Sequence, residues 1–294
     1  MAVPSAAPRS AASTLPAGLA LGVAELAVSS LPRSVAFYER VVGLRRLSQE
    51  PGVAELGGTG GPAVLRLVER PGAAPKPREA AGLFHVAILL PERRNLAITL
   101  ARLVRERLRI GASDHLVSEA LYLDDPDGNG IEIYRDRPRG EWTYRAGEIA
   151  MATEPLDAEA LLDLLAPGVD LDAAQPAGTR VGHIHLQVGD LAAARAFWID
   201  AIGFEPTTTY PGAVFMSAGG YHHHLAANVW ASRGRGPAPE GSTGLLSFEA
   251  ILPDAAAVEA LATRLDARGV AYQRDEDALR VADPWGTTIV FVVG

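Results

Sequence analysis

The 294-residue chain contains no cysteine. That absence excludes disulfide frameworks, thiolate zinc sites, iron–sulfur clusters and a cysteine nucleophile, so any metal must sit on histidine, carboxylate or carbonyl ligands. No apolar run approaches the roughly 18 residues that span a bilayer. Positive charge is in deficit as well: 27 Lys+Arg against 35 Asp+Glu leave a formal net charge of −8. Without a basic stripe to displace counterions, the chain is not built for nucleic acid. Residues 1–17 carry one Arg among Ala, Ser and Pro. They lack the basic start and clean apolar stretch of a signal peptide, so they read as a flexible leader on a cytoplasmic protein. The remainder is ordinary globular composition, 48% hydrophobic and 21% charged, and enough chain for about two domains.

Internal repetition organises it. LPRSVAFYERVVGL (Leu31 to Leu44) aligns without a gap on LAAARAFWIDAIGF (Leu191 to Phe204). Each follows an alternating stretch that reads as a half-buried strand, ELAV in one copy and HIHLQV in the other. The apolar spacing from Val35 to Val42 predicts a helix closed by Gly43, and Gly203 closes the second copy. A second pair interleaves with the first: GLFHVAILLPE (Gly82 to Glu92) matches GLLSFEAILPD (Gly244 to Asp254). Each member leads into a helix, then into a turn and strand, DPDGNGIEIY (Asp125 to Tyr134) and DPWGTTIVFV (Asp283 to Val292). The chain is therefore four strand–helix–strands modules, near residues 19–70, 83–136, 181–232 and 244–293. The domain reading is a leader over 1–17, an N-terminal domain over 18–137, a linker over 138–179 and a C-terminal domain over 180–294. Asp157 to Leu165 is a short helix candidate within the linker.

These modules resemble the βαβββ units of the vicinal oxygen chelate superfamily, which includes glyoxalase I, type I extradiol dioxygenases and the bleomycin- and fosfomycin-resistance proteins. The resemblance spans nearly the whole chain, and SDHLVSEALYLDDPDGNGIEIYRDRP and GGYHHHLAANVW are most similar to double-length catechol 2,3-dioxygenase-like proteins. It implies an α+β fold in two pseudo-repeated halves, with curved mixed sheets enclosing a metal cavity.

Seven histidines are available: His85, His115, His183, His185, His222, His223 and His224. An open mononuclear site wants two or three His with a carboxylate, pointing to one face of their strands. The superfamily's ligand position in a module's first strand falls on Val23, His85, His183 and Ser247; its last-strand position falls on Glu132 and Val290. The resemblance thus implies one site, His85, Glu132 and His183, shared by modules two and three. Modules one and four then close a second, metal-free cavity. This order departs from typical type I extradiol enzymes, whose three ligands all lie in the C-terminal half. On a strand such as IEIY, the blander role for Glu132 is a solvent-facing carboxylate.

Around the metal, the resemblance implies Tyr122, ten residues before Glu132, together with His223 and His115 as catalytic groups. Neutral His and a Tyr hydroxyl suit a reaction that needs a base, an acid and a group facing bound oxygen, the last being the role for His223. Strand alternation puts His222 and His224 opposite His223; a register shift of one would turn His224 inward instead. Glu25 and His185 share a face with the first-strand positions, and Glu25 reads as an ordinary hydrogen-bonded strand residue. The implied function is extradiol cleavage of a catechol-type ring by O₂ at Fe(II), with Mn(II) as the alternative metal. A glyoxalase-like isomerase or lyase, or a non-enzymatic binding or resistance protein, stands as the alternative. Expected partners are the small aromatic substrate and O₂, with no nucleic acid and no membrane; oligomeric state stays open, a homodimer included.

Overall fold

The computed structural model describes residues 14–145, 147–275 and 278–294. Module one runs β1 (Ala20–Val28), α1 (Leu31–Phe37), β2 (Arg45–Glu50), β3 (Val53–Gly57) and β4 (Ala63–Glu69). Module two runs β5 (Gly82–Leu89), α2 (Arg93–Arg105), β6 (Gly111–Asp114), β7 (Ser118–Asp124) and β8 (Gly130–Asp136). A connecting stretch holds β9 (Tyr144–Arg145), β10 (Glu148–Ile149), β11 (Glu154–Pro155) and α3 (Ala158–Leu162). Module three is β12 (Arg180–Gln187), α4 (Leu191–Arg195), β13 (Glu205–Tyr210), β14 (Ala213–Ser217) and β15 (Leu225–Asn228). Module four is β16 (Gly244–Leu252), α5 (Ala255–Arg268), β17 (Gln273–Asp275), β18 (Ala278–Ala282) and β19 (Thr288–Val293).

Alternation within the first strands decides how the modules combine. Ile184 and Leu186 of β12 join Val86 and Ile88 of β5 in the apolar core, as do Leu26 of β1 and Phe248 of β16. The residues between them face the other way. Strands of modules two and three form one nine-stranded sheet, β11-β6-β7-β8-β5-β12-β15-β14-β13. Modules one and four form an eight-stranded sheet, β17-β18-β19-β16-β1-β4-β3-β2. Each sheet is joined at its middle by an antiparallel pair from different halves of the chain, β5 with β12 and β1 with β16. The module pairing expected from the ligand positions is the one adopted.

Three local outcomes differ from the sequence pattern. The helix expected over Val35 to Val42 widens after Phe37 into a π-helical turn, Tyr38–Val42, closed where Gly43 N–H donates to the Tyr38 carbonyl at 2.9 Å. Gly43 has φ +86° there, and Gly203 ends a matching turn at φ +100°. The leader lies mostly outside the described residues, and its last part is docked: Leu15 is buried and its N–H donates to the Gly203 carbonyl at 2.9 Å. The stretch between the halves is built into the structure, because β11 extends the nine-stranded sheet beside β6. It is also clasped by a buried guanidinium. Arg102 on α2 donates to the carbonyls of Leu171 (2.7 Å), Ala173 (2.5 Å) and Val42 (3.0 Å).

Removing that clasp strands the Leu171 and Ala173 carbonyls, while the Val42 carbonyl keeps its bond from the Gln175 amide at 2.8 Å. Arg102→Ala should cost about 3 kcal/mol of stability, because buried acceptors lose their donor and a large cavity opens. Urea unfolding midpoints of the two proteins measure this directly.

Candidate metal centre

Four neighbouring strands set the site through one register row. Tyr122 of β7 pairs with Glu132 of β8, Glu132 with Ala87 of β5, and Ala87 with His183 of β12. His85 lies two residues along β5 and is opposite His185. Two bulges tune this row. The β5–β12 pairing steps from His85 to Leu83, leaving Phe84 as an extra residue that faces the cavity beside His85. On β12 the extra residue is Gly182, where any Cβ would overlap the Tyr134 hydroxyl. The outer sheet repeats both irregularities in its β1–β16 pair.

The result is a buried trio of donor atoms. His85 Nε2 and His183 Nε2 each lie 3.0 Å from Glu132 Oε2, and 3.3 Å from each other. Three ligands about 2.1 Å from one centre at right angles are separated by about 3.0 Å, so this spacing fits a divalent ion with its other positions open. Among the described residues it is the one group of three potential ligands so gathered. Val23, Ser247 and Val290 occupy the equivalent positions of the outer sheet, and Glu25 there is tied to Arg66 at 3.2 Å.

The protonation states also match. Burial drives the Glu132 carboxyl upward, but interactions with His183 and His85 outweigh it and hold the group well below the usual carboxylate range. Burial lowers His183 to about 4. At neutral pH His183 is therefore an imidazole and Glu132 a carboxylate, the forms that bind metal. The Nδ1 atom of His183 has no hydrogen-bond partner among the described residues. Its ring is instead wedged between Tyr134 and His223, with centroids at 4.9 and 4.0 Å.

A cavity of about 810 Å³ opens beside the trio, with His85 and Glu132 in its wall. Its wall includes Tyr122, His115 and His223, so all the catalytic candidates meet at one place. His115 Nδ1 donates to the Ala152 carbonyl at 2.6 Å, which leaves Nε2 to accept from the Tyr122 hydroxyl at 2.6 Å. Burial, followed by the Glu132 charge, keeps the Tyr122 phenol well above its ordinary pKa, hence protonated. Leu116, at φ +68°, tightens the turn that brings His115 back over β7.

The histidine triplet departs from strand alternation. Residues 219–224 form a bend led by Gly219 and Gly220 (φ +63° and +67°), and β15 starts only at Leu225. All three histidines are buried, and His223 lines the cavity. His222 is not part of the cavity wall and backs His223: its Nε2 donates to Asp136 Oδ1 at 2.8 Å, and its Nδ1 lies 2.8 Å from His223 Nδ1. An aspartate only accepts, so His222 Nδ1 is the acceptor and His223 Nδ1 bears the proton, leaving His223 Nε2 with a lone pair. Sequence reasoning missed Asp136, whose only signal is its alternation with Glu132 and Tyr134. It also missed Asn228, which takes Trp230 N–H on Oδ1 (3.1 Å) and donates from Nδ2 to His185 Nε2 (3.0 Å).

The profile of the Glyoxalase/Bleomycin resistance protein/Dioxygenase superfamily matches residues 20–133 and 180–291. A catechol-2,3-dioxygenase of Bacillus subtilis (strain 168) is 44% identical over 278 residues, covering 93% of this chain and 97% of that protein. A solved structure of a Bacillus subtilis subsp. subtilis str. 168 protein, provisionally assigned as a dioxygenase, superposes with a TM-score of 0.64 at 16% identity. That match covers 95% of this chain and 85% of the other. Glyoxalase I from Zea mays gives a TM-score of 0.55 at 17% identity, over 94% and 92% of the two chains. The two structures share the fold with this chain.

Burial sets a pH limit on the metal-free protein. It lowers His224, whose Nδ1 accepts from Ala218 N–H, to about 3, and His183 to about 4. The unfolded chain takes up protons near the ordinary histidine value of about 6.5 that the folded state refuses, so stability falls as pH drops from 6.5 toward 3. His224→Asn keeps an acceptor but removes one such group. Between pH 6.5 and 4 its stability should fall less steeply than the parent's, by up to about 1.4 kcal/mol per pH unit, in urea titrations at stepped pH.

Proposed function

The chain belongs to the glyoxalase/bleomycin resistance protein/dioxygenase superfamily, and from that premise we propose that it is a metal-dependent extradiol dioxygenase that opens a catechol-type ring with O₂. His85, Glu132 and His183 hold the metal, Fe(II) in this reading with Mn(II) as the alternative. The observation that carries the proposal is the trio's 3.0–3.3 Å spacing directly beside a protonated Tyr122 and two histidine hydrogen-bond networks. A cytoplasmic location and small-molecule partners belong to the same reading; no helix among the described residues is long and apolar enough to cross a membrane.

The metal, when bound, supplies Lewis acidity toward adjacent phenolic oxygens and a common meeting point for the two reactants. The chain supplies the proton chemistry. Tyr122, held protonated, gives its one proton to His115 Nε2, so its oxygen accepts a hydrogen bond from a hydroxyl of the bound catechol and the pair can pass that proton on to His115. His223 is kept neutral by burial and then by its neighbouring histidines, and its free Nε2 lone pair accepts a substrate proton. Asp136 and His222 set that tautomer from behind. Aromatic walls exclude water and strengthen each of these interactions.

An isomerase of the glyoxalase kind wants a carboxylate base across from the metal, and here that side carries His223. A sequestering protein has no use for three converging metal ligands.

Oxygen uptake on a catechol panel, after anaerobic Fe(II) loading, tests the proposal; turnover of a hemithioacetal without O₂ would overturn it. Glu132→Ala should empty the site, giving less than a tenth of the parent's bound metal by elemental analysis, because the one anionic ligand is gone. Tyr122→Phe should retain metal and lose on the order of 10²–10⁴-fold in ring-cleavage rate, the range for a general acid–base group. His223→Ala should retain metal and slow ring cleavage, because the acceptor for the substrate proton is gone. Full activity in both Tyr122→Phe and His223→Ala would remove these residues from the mechanism.

A further inference from the structure

Eight large hydrophobic residues stand exposed among the described residues, and three of them share one location. Phe84 (38% exposed), Trp230 (49%) and Tyr210 (52%) all line the mouth of the metal cavity. Exposed aromatics gathered on one concavity mark a binding surface. Two of these rings, Phe84 and Trp230, are also held in place. Phe84 meets Trp230 edge to face, with centroids 5.5 Å apart, and meets the His185 ring at 4.8 Å. The Trp230 indole N–H donates to the Pro211 carbonyl at 2.9 Å, while its backbone N–H is anchored on Asn228. The bulge in β5 is what turns Phe84 out of the core and into this wall.

Size points the same way. The cavity's volume of about 810 Å³ lies in the range that encloses drug-sized ligands, roughly 300–1,000 Å³. A single catechol ring fills only part of this volume, so a substrate that fills it runs from the His85 side past Phe84, whose ring lies 5.3 Å from that of His85, to Trp230 and Tyr210. Rings offering both faces and edges best complement another ring, because edge-to-face and offset contacts add to the gain from apolar burial.

We propose that Phe84, Trp230 and Tyr210 form a distal subsite for a second aromatic ring, so that the substrate is a catechol bearing an aryl substituent. The inference rests on the dioxygenase reading for the identity of the catechol end, and on the cavity alone for the aryl end. Arg78 and Arg109, on the same wall and without an ion pair among the described residues, are the features that would favour a competing ligand, a catechol carrying a carboxylate.

Anaerobic calorimetry on the metal-loaded protein separates these possibilities, using catechol, a phenyl-substituted catechol and 3,4-dihydroxyphenylacetate as probes. The phenyl-substituted catechol should bind at least about tenfold more tightly than catechol, which is the return expected from burying one further ring. In Trp230→Ala and Phe84→Ala this preference should collapse toward unity. Leu47→Ala, at an exposed apolar residue elsewhere, should leave it intact. Equal affinity for catechol and its phenyl derivative, or a preference for the carboxylate probe, would overturn the subsite. So would a phenyl preference that persists in both variants. Oxygen uptake is then measured on the same samples. An aryl preference in binding without oxygen consumption would defeat the dioxygenase reading and leave the subsite standing.

Discussion

Everything at the candidate metal centre depends on the register of one antiparallel pair, β5 against β12. That pairing sets His183 beside Ala87 and, through Ala87, beside Glu132. A slip of one residue would turn His183 and His185 into the core and bring Ile184 and Leu186 out to the cavity. The register is locked by the apolar residues on the other face, Val86, Ile88, Ile184 and Leu186, which are fully buried. The hydrophobic side of the sheet therefore does the aligning, and the polar side receives its geometry from it. The bulges at Phe84 and Gly182 fall at the two ends of this pair, adjusting direction without disturbing the row between them.

A second layer of order comes from hydrogen bonds that run in a single direction. The Ala152 carbonyl fixes His115, which fixes the Tyr122 hydroxyl. Asp136 fixes His222, which fixes His223. Each series begins at an atom that can only accept, so every proton along it has one place to sit. Asp136 also accepts from Tyr221 at 2.9 Å, and Tyr134 donates in turn to Tyr221 at 2.7 Å. The buried polar groups on this side are thus supported from behind by further polar groups, which is how a dry cavity keeps ionisable side chains in defined states.

The fold was largely legible because the repeats fall at matched positions, and because ligand-type residues sit in modules two and three while Val23, Ser247 and Val290 stand in the others. The residues His85, Glu132, His183, Tyr122, His115 and His223 were all visible as chemistry-bearing positions, and they come together. What the pattern hid was wherever the backbone leaves a strict period. Alternation assigns Phe84 to the core, but a bulge sends it outward. Alternation splits His222 from His223, but the segment is a glycine-led bend in which neighbours touch. Asn228 and Asp136 were hidden for a different reason: each acts on another side chain rather than on the cavity, and no local spacing encodes such a contact. The clasp formed by Arg102 was hidden likewise, since a lone cation on an amphipathic helix usually faces solvent.

The pairing of modules has a consequence for synthesis. The two junctions are nested like brackets: the inner sheet joins modules two and three, and the outer joins one and four. As the chain leaves the ribosome, module one is made first, yet its partner strand β16 is made last of the four opening strands. The inner sheet can close, and its three ligands converge, while the outer sheet still lacks half its strands. Until then β1 presents an unpaired edge to its surroundings, a template for pairing with any other chain nearby. The order of the modules along the chain therefore completes the sheet that carries the candidate site early and leaves the outer sheet waiting for its mate.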